Sequence, residues 1–146
     1  MNDMEATRDE RPWALVSGAS GGLGQAFSRH LASCGVNLVL TGRRQDDLDD
    51  LADQLTTRYC IQTIVLPCDI SSASERLALV NEIAGRGIII DTLVNNAGFG
   101  AAGRIAETDP ERQTSQVEVN CEAVVHLCGL LLPAMNTPNP RSNYNV

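Results

Sequence analysis

The run Leu15-Val16-Ser17-Gly18-Ala19-Ser20-Gly21-Gly22-Leu23-Gly24 restricts the possible folds of this chain more than any other feature. An apolar stretch that suits a strand passes, through closely spaced glycines, into a segment whose apolar residues recur at helical spacing. Glycines at 18, 22 and 24 let the chain turn tightly and seat the helix close to the strand, which larger side chains would prevent. The same turn aims backbone N–H groups and the positive end of the helix dipole outward, an arrangement that receives a diphosphate. A glycine-rich turn alone also fits a plain loop. The preceding strand and following helix favour the first reading.

The remainder alternates β-rich runs with amphipathic stretches. The pattern predicts strands at Trp13–Ser17, Asn37–Thr41, Thr63–Leu66 and roughly Ile88–Asn95. Between the first two, a helix starts at Leu23, carries Leu23, Phe27, Leu31 and Cys34 on one stripe, and stops at Gly35. A second helix opens at Asp46 and Asp47, whose charge suits the helix dipole, and its Leu48, Leu51, Ala52 and Leu55 keep helical period. Ser72-x-x-Glu75 is a capping-box candidate for a third helix, with Leu77, Val80 and Ile83 inward and Gly85 and Gly87 closing it. Thr108-Asp109-Pro110-Glu111 starts a fourth, with Val117, Cys121, Val124, Cys128 and Leu131 on one face. Continuously apolar strands separated by helices imply an α/β fold, a doubly wound parallel sheet covered on both sides. Right-handed crossovers give the strand order 3-2-1-4. The expected organisation is a polar tail over 1–11, one domain over 12–135, and an irregular Pro/Asn-rich tail over 136–146. Strand four then has an unpaired edge, so the sheet looks incomplete, with later strands missing.

Composition excludes several function classes. The net charge of -7 repels phosphate backbones and anionic membranes, so neither nucleic acid nor a membrane is an expected partner. No signal-like segment opens the chain, and its longest apolar stretch falls short of a membrane span; the expected location is cytoplasmic. Five cysteines at unpatterned spacings, with no C-x-x-C, argue for reduced thiols and no metal site. His30 and His126 both fall mid-helix, which argues against a Cys–His nucleophile.

Four segments together carry a family resemblance. Ser17-Gly18-Ala19-Ser20-Gly21-Gly22-Leu23-Gly24 is similar to the T-G-x-x-x-G-x-G turn of short-chain dehydrogenases/reductases, with serine replacing threonine. Asn95-Asn96-Ala97-Gly98 matches that family's N-N-A-G signature. Cys68-Asp69-Ile70 resembles its acidic position on the adenine side, and Val117-Glu118-Val119-Asn120 resembles the helix segment bearing its structural and catalytic asparagine. The resemblance covers about residues 12–135 and implies a Rossmann-like fold. It also implies a nicotinamide cofactor held by Gly18, Ser20, Gly21, Gly22, Leu23, Gly24, Asp69, Ile70, Asn96, Ala97 and Gly98, with Asn120 in the catalytic set. Each residue has a plainer alternative. Asp69 also reads as a helix cap, Asn95 and Asn96 as turn formers, and Asn120 as a polar boundary residue.

In this family an acidic residue closing strand two selects NAD by binding the adenosine ribose. Here that place is Gly42, followed by Arg43 and Arg44. Glycine cannot repel a 2′-phosphate and arginine pairs with one, so NADP is expected over NAD. The competing reading makes both arginines solvated surface charge. The resemblance further implies hydride transfer to a carbonyl or from an alcohol, assisted by a serine, a tyrosine and a lysine four residues beyond the tyrosine. The chain contains no lysine, and Tyr144 lies too soon after Asn120 to take the tyrosine's place. The expectation is therefore a truncated NADP-dependent short-chain oxidoreductase that keeps its cofactor site and lacks turnover. Relatives assemble through the helix ending near Met135, so a homo-oligomer with an incomplete interface is expected. Two rivals stay open: a non-catalytic NADP-binding or partner-interaction module, and an altered gene end.

Overall fold

The computed structural model describes residues 11–135; the expected tails at 1–10 and 136–146, and Tyr144, lie outside the described residues. Strands β1 (Trp13–Ser17), β2 (Asn37–Thr41), β3 (Thr63–Val65) and β4 (Thr92–Val94) form a parallel sheet of order β3-β2-β1-β4, as the alternation predicts. Register places Leu15 opposite Val39 and Leu93. Successive residues of each strand serve different cores. Ala14, Val16, Leu38 and Leu40 pack beneath helices α1 (Gly22–Ser33) and α2 (Gln45–Tyr59). Leu15 and Val39 pack beneath α3 (Ala73–Gly85) and α5 (Ala123–Met135). Two covered faces explain why these strands read as continuous apolar runs.

Several expected inner faces are displaced. On α1 the buried residues are Gly24, Ser28 and Ala32, whereas Leu23 is 71% and Phe27 45% exposed. Close approach to the sheet selects small side chains, and the Ser28 hydroxyl is satisfied by the Gly24 carbonyl at 2.8 Å. Gly35 does end this helix: at φ +80 it occupies the left-handed region, and Val36 N–H reaches back to Leu31 O at 3.1 Å. Helix α2 buries Leu48, Leu51, Ala52 and Leu55, the residues that keep helical period in the sequence. On α3 the inner residues are Arg76, Leu79 and Ile83, with Val80 partly buried and Leu77 exposed. Strand β4 is shorter than Ile88–Asn95 because Ile88 N–H closes α3 on Ile83 O (3.2 Å) and Ile90 fills the core before the strand begins. Strand β3 ends one residue early, at Val65, although Leu66 N–H still bonds Leu40 O.

The last helix departs most from a regular pattern. Helix α4 (Pro110–Val117) runs through one π turn (Glu118–Glu122) into α5. The wider turn rotates the helix by about one residue per insertion. Its buried line after the turn is Ala123, Leu127 and Leu131, while Val117 and Cys121 of the expected face are exposed. Pro110–Met135 is also, by length and composition, long and apolar enough to cross a membrane, which amends the reading of the apolar stretches. Its buried line lies in the sheet's core, while Val125 and Leu132 face outward.

Candidate functional site

The carboxyl ends of the strands open onto a cleft of about 1170 Å³, where the connections from β1 and β4 diverge. Ser17, at the end of β1, fastens the two sides of that divergence. Its hydroxyl accepts N–H bonds from Asn96 and Ala97, both at 3.0 Å, and donates to Val94 O at 3.3 Å. Asn96 returns the connection through Nδ2, which donates to Ser17 O (3.0 Å) and Gly18 O (3.1 Å). Of the two asparagines, Asn96 therefore ties the sheet together, and Asn95 instead directs its amide toward Cys128 Sγ at 3.6 Å. Gly18 sits at φ +62, and a Cβ there would lie 2.9 Å from Ala97 Cα.

Ser17 is 2% exposed, so its loss leaves two N–H groups without their acceptor in a nearly dry site. Ser17→Ala is expected to cost about 2 kcal/mol in urea unfolding, while Ser17→Thr keeps the oxygen and stays within about 0.5 kcal/mol of the parent. Equal stabilities for the two variants would contradict the clamp.

The glycine-rich turn presents unfilled donors. Gly21 caps α1 without any side-chain bond, and the N–H groups of Gly22 and Leu23 have no hydrogen-bond partner among the described residues. Helices α2, α3 and α4 each carry acidic residues in the first turn, whereas α1 carries none. The positive dipole end of α1 is thus uncompensated by first-turn carboxylates, and it faces the cleft.

The paired arginines separate in role. Arg44 is bound to Asp47 at 2.9 Å and to Ser20 O at 3.3 Å, so it braces the turn from outside. Arg43 lines the cleft with no ion pair or hydrogen bond among the described residues. Across from it lies the turn after β3. Asp69 is not the helix cap; Ser72 holds that place, its hydroxyl accepting Glu75 N–H at 3.3 Å. The capping box is only half made, because the Glu75 carboxylate reaches past Ser72 to Asp69 N–H at 2.6 Å. Asp69 Oδ1 accepts the Ser71 N–H (3.0 Å) and hydroxyl (2.8 Å). Those bonds, the backbone one foremost, hold its carboxyl below the usual carboxylate range against partial burial, with a further contribution from Arg43. Asp69 Oδ2 and Ile70 N–H have no hydrogen-bond partner among the described residues, and both residues line the cleft.

Asn120 lies in the π turn and bonds the backbone of Phe99 twice, accepting its N–H at 3.1 Å and donating to its carbonyl at 2.9 Å. Gly98 is required beside it, since a Cβ there would come within 2.9 Å of Asn120 Oδ1. The side chain expected in the catalytic set is thus anchoring the loop after β4. Cys68 also lines the cleft, but burial, reinforced by Glu75 and Asp69, pushes its thiol up to about 11, so it stays protonated at neutral pH. Among the described residues no three or more His, Cys, Asp or Glu come together as a metal site.

Sequence reasoning passed over Phe99, Arg112 and Ser115, which line the cleft together with Val119 of the quoted helix segment. It also passed over Arg76. The spacing 76, 79, 83 is helical, but an arginine in that series reads as polar surface.

The short chain dehydrogenase family model matches residues 12–142. The very-long-chain 3-oxoacyl-CoA reductase of Aspergillus oryzae (strain ATCC 42149 / RIB 40) is 37% identical over 131 residues, covering 84% of this chain and 36% of that protein. Sulfoacetaldehyde reductase 2 of Chromohalobacter salexigens is 32% identical over 122 residues, 83% of this chain and 48% of its own. Among solved structures, the alcohol dehydrogenase from Thermococcus sibiricus complexed with 5-hydroxy-NADP superposes with a TM-score of 0.82 at 29% identity, covering 86% of this chain and 53% of the other. L-sorbose reductase from Gluconobacter frateurii, complexed with NADPH and L-sorbose, gives 0.82 at 29% identity over 86% and 48%. The chain spans about a third of the length of the fungal relatives.

Proposed function

As a member of the short-chain dehydrogenase family, to which this chain belongs, we propose that it binds NADP(H) as the cofactor-holding part of an oxidoreductase acting on carbonyl or alcohol groups. The observation that carries this reading is the pairing, in one cleft, of the acid-free N-terminus of α1 with Arg43, which has no ion pair among the described residues. The Gly22 and Leu23 amides would receive the diphosphate, and Arg43 the 2′-phosphate. Arg44, committed to Asp47 and Ser20, would act by keeping the turn in place. Asp69 Oδ2 and Ile70 N–H give an acceptor and a donor side by side, the complement of the adenine edge. Asn96, Ala97 and Gly98 would border the nicotinamide side, supported by Asn120 through Phe99. When bound, the cofactor supplies the hydride. The NADP-complexed neighbours support this choice of cofactor. A small carbonyl substrate would enter near Phe99, Ser115 and Val119; a cytoplasmic location is part of the same proposal.

Calorimetric titration with NADPH and NADH tests it. Arg43→Glu is expected to weaken NADPH binding by about 10- to 100-fold, the range of one lost charge-assisted contact, and to leave NADH binding near the parent value. Arg44→Glu should disturb both dinucleotides alike through the turn. No NADPH binding by folded protein, or equal effects of Arg43→Glu on both cofactors, would overturn the reading.

A further inference from the structure

Arg76 is charged, yet its side chain is 0% exposed. Burying a guanidinium is costly unless its donors are satisfied, and here four of the five are engaged. Nε donates to His126 Nδ1 at 2.9 Å, Nη2 to Glu122 Oε1 at 2.6 Å, and Nη1 to the carbonyls of Ile70 (2.6 Å) and Ser71 (3.2 Å). Two of these partners belong to the turn after β3, and two to the helix that carries the π turn.

The Ile70 carbonyl and the Ser71 N–H are opposite ends of one peptide plane. Arg76 holds the first and Asp69 Oδ1 the second, so that plane is clamped at both ends. The Asp69 carbonyl is likewise taken by Ser72 N–H at 3.0 Å, and the Asp69 N–H by Glu75. What the clamps leave open are Ile70 N–H and Asp69 Oδ2. We propose that Arg76 is a positioning residue for the adenine end of the cofactor, fixing the Asp69–Ser71 turn to Glu122 and His126 so that this donor and acceptor face the base. The proposal rests on the NADP reading above. It also gives the π turn two loads, since Asn120 fixes the loop after β4 while Glu122 steadies the turn after β3.

The test uses this chain with NADPH and with its deaminated counterpart, in which hypoxanthine replaces adenine. Deamination turns the N6 donor into an acceptor and the N1 acceptor into a donor, so both contacts are reversed. The parent is expected to prefer NADPH by about tenfold or more, the cost of mismatching buried polar groups. Arg76→Met keeps the bulk, and Arg76→Lys keeps the charge but cannot span four acceptors; in both, the preference is expected to fall to about one while circular dichroism holds. A loss of stability alone would leave the preference ratio unmoved. If Arg76→Met fails to fold, Glu122→Gln at the exposed partner should still lower the ratio about threefold. A parental ratio in folded Arg76→Met, or in Glu122→Gln where the former does not fold, overturns the proposal. Parent protein that binds both dinucleotides equally overturns it while leaving the NADP reading standing, and parent protein that binds neither overturns both.

Discussion

NADPH incubated with these 146 residues and a panel of ketones and aldehydes is expected to stay reduced, even as calorimetry shows the dinucleotide bound. Hydride transfer to a carbonyl needs a proton delivered to the oxygen, and the family resemblance assigns that task to a tyrosine lowered in pKa by a nearby lysine. The chain has no lysine anywhere. Of its tyrosines, Tyr59 ends α2 with the Arg58 guanidinium 5.5 Å from its ring centroid, at the opposite end of α2 from the cleft, and Tyr144 lies outside the described residues. Asn120 cannot substitute, since a carboxamide does not release a proton near neutral pH, and its amide is bonded to the Phe99 backbone. Cys68 stays protonated, and the Arg76 guanidinium near it cannot accept a proton. General acid catalysis is worth about 10²- to 10⁴-fold in rate. NADPH oxidation above the buffer background, abolished by Arg43→Glu, would show that another group moves the proton.

The parallel sheet was legible because each strand is apolar on two faces and each connection carries a helical period. Strand order then followed from the handedness of the crossovers. The ligand end was legible because glycines cluster where backbone must meet a diphosphate. Less readable was anything decided by a contact distant in sequence. Arg43 and Arg44 are equivalent as letters; only Asp47 and the Ser20 carbonyl, which capture Arg44, set them apart. Ser17 matters through bonds to residues about 80 positions away, so nothing local marks it beyond its place in the turn. The π turn is invisible to a fixed period of 3.6: of the expected face, Leu131 is buried and Val124 and Cys128 are half-buried, but Val117 and Cys121 are exposed, and Ala123 and Leu127 share the buried line with Leu131. Arg76 shows the converse failure. Hydrophobic patterning ranks arginine as surface, yet a guanidinium whose donors are met by two carbonyls, a carboxylate and an imidazole is at home inside.

Glycine positions give the sharpest separation between a motif and its mechanics. Gly24→Ala is expected to destabilise the fold by about 3 kcal/mol or more and to abolish dinucleotide binding. A Cβ at that position would press on the Gly18 carbonyl and lie 2.8 Å from both Ala19 Cα and Asn96 Nδ2. Two of those neighbours are backbone. The third is pinned to Ser17 and Gly18, so none can withdraw without breaking the clamp between β1 and β4. Helix propensity works the other way, since alanine is favoured over glycine inside a helix by about 1 kcal/mol, but that gain is smaller than the clash. Gly22→Ala isolates the propensity effect: a Cβ there meets nothing within 4 Å, so stability should hold or rise by up to about 1 kcal/mol. Urea unfolding of the two variants, with NADPH titration of whatever folds, decides the matter. Similar stabilities for the two would mean that α1 can slide away from the sheet and that the close approach at Gly24 is not what shapes the cleft.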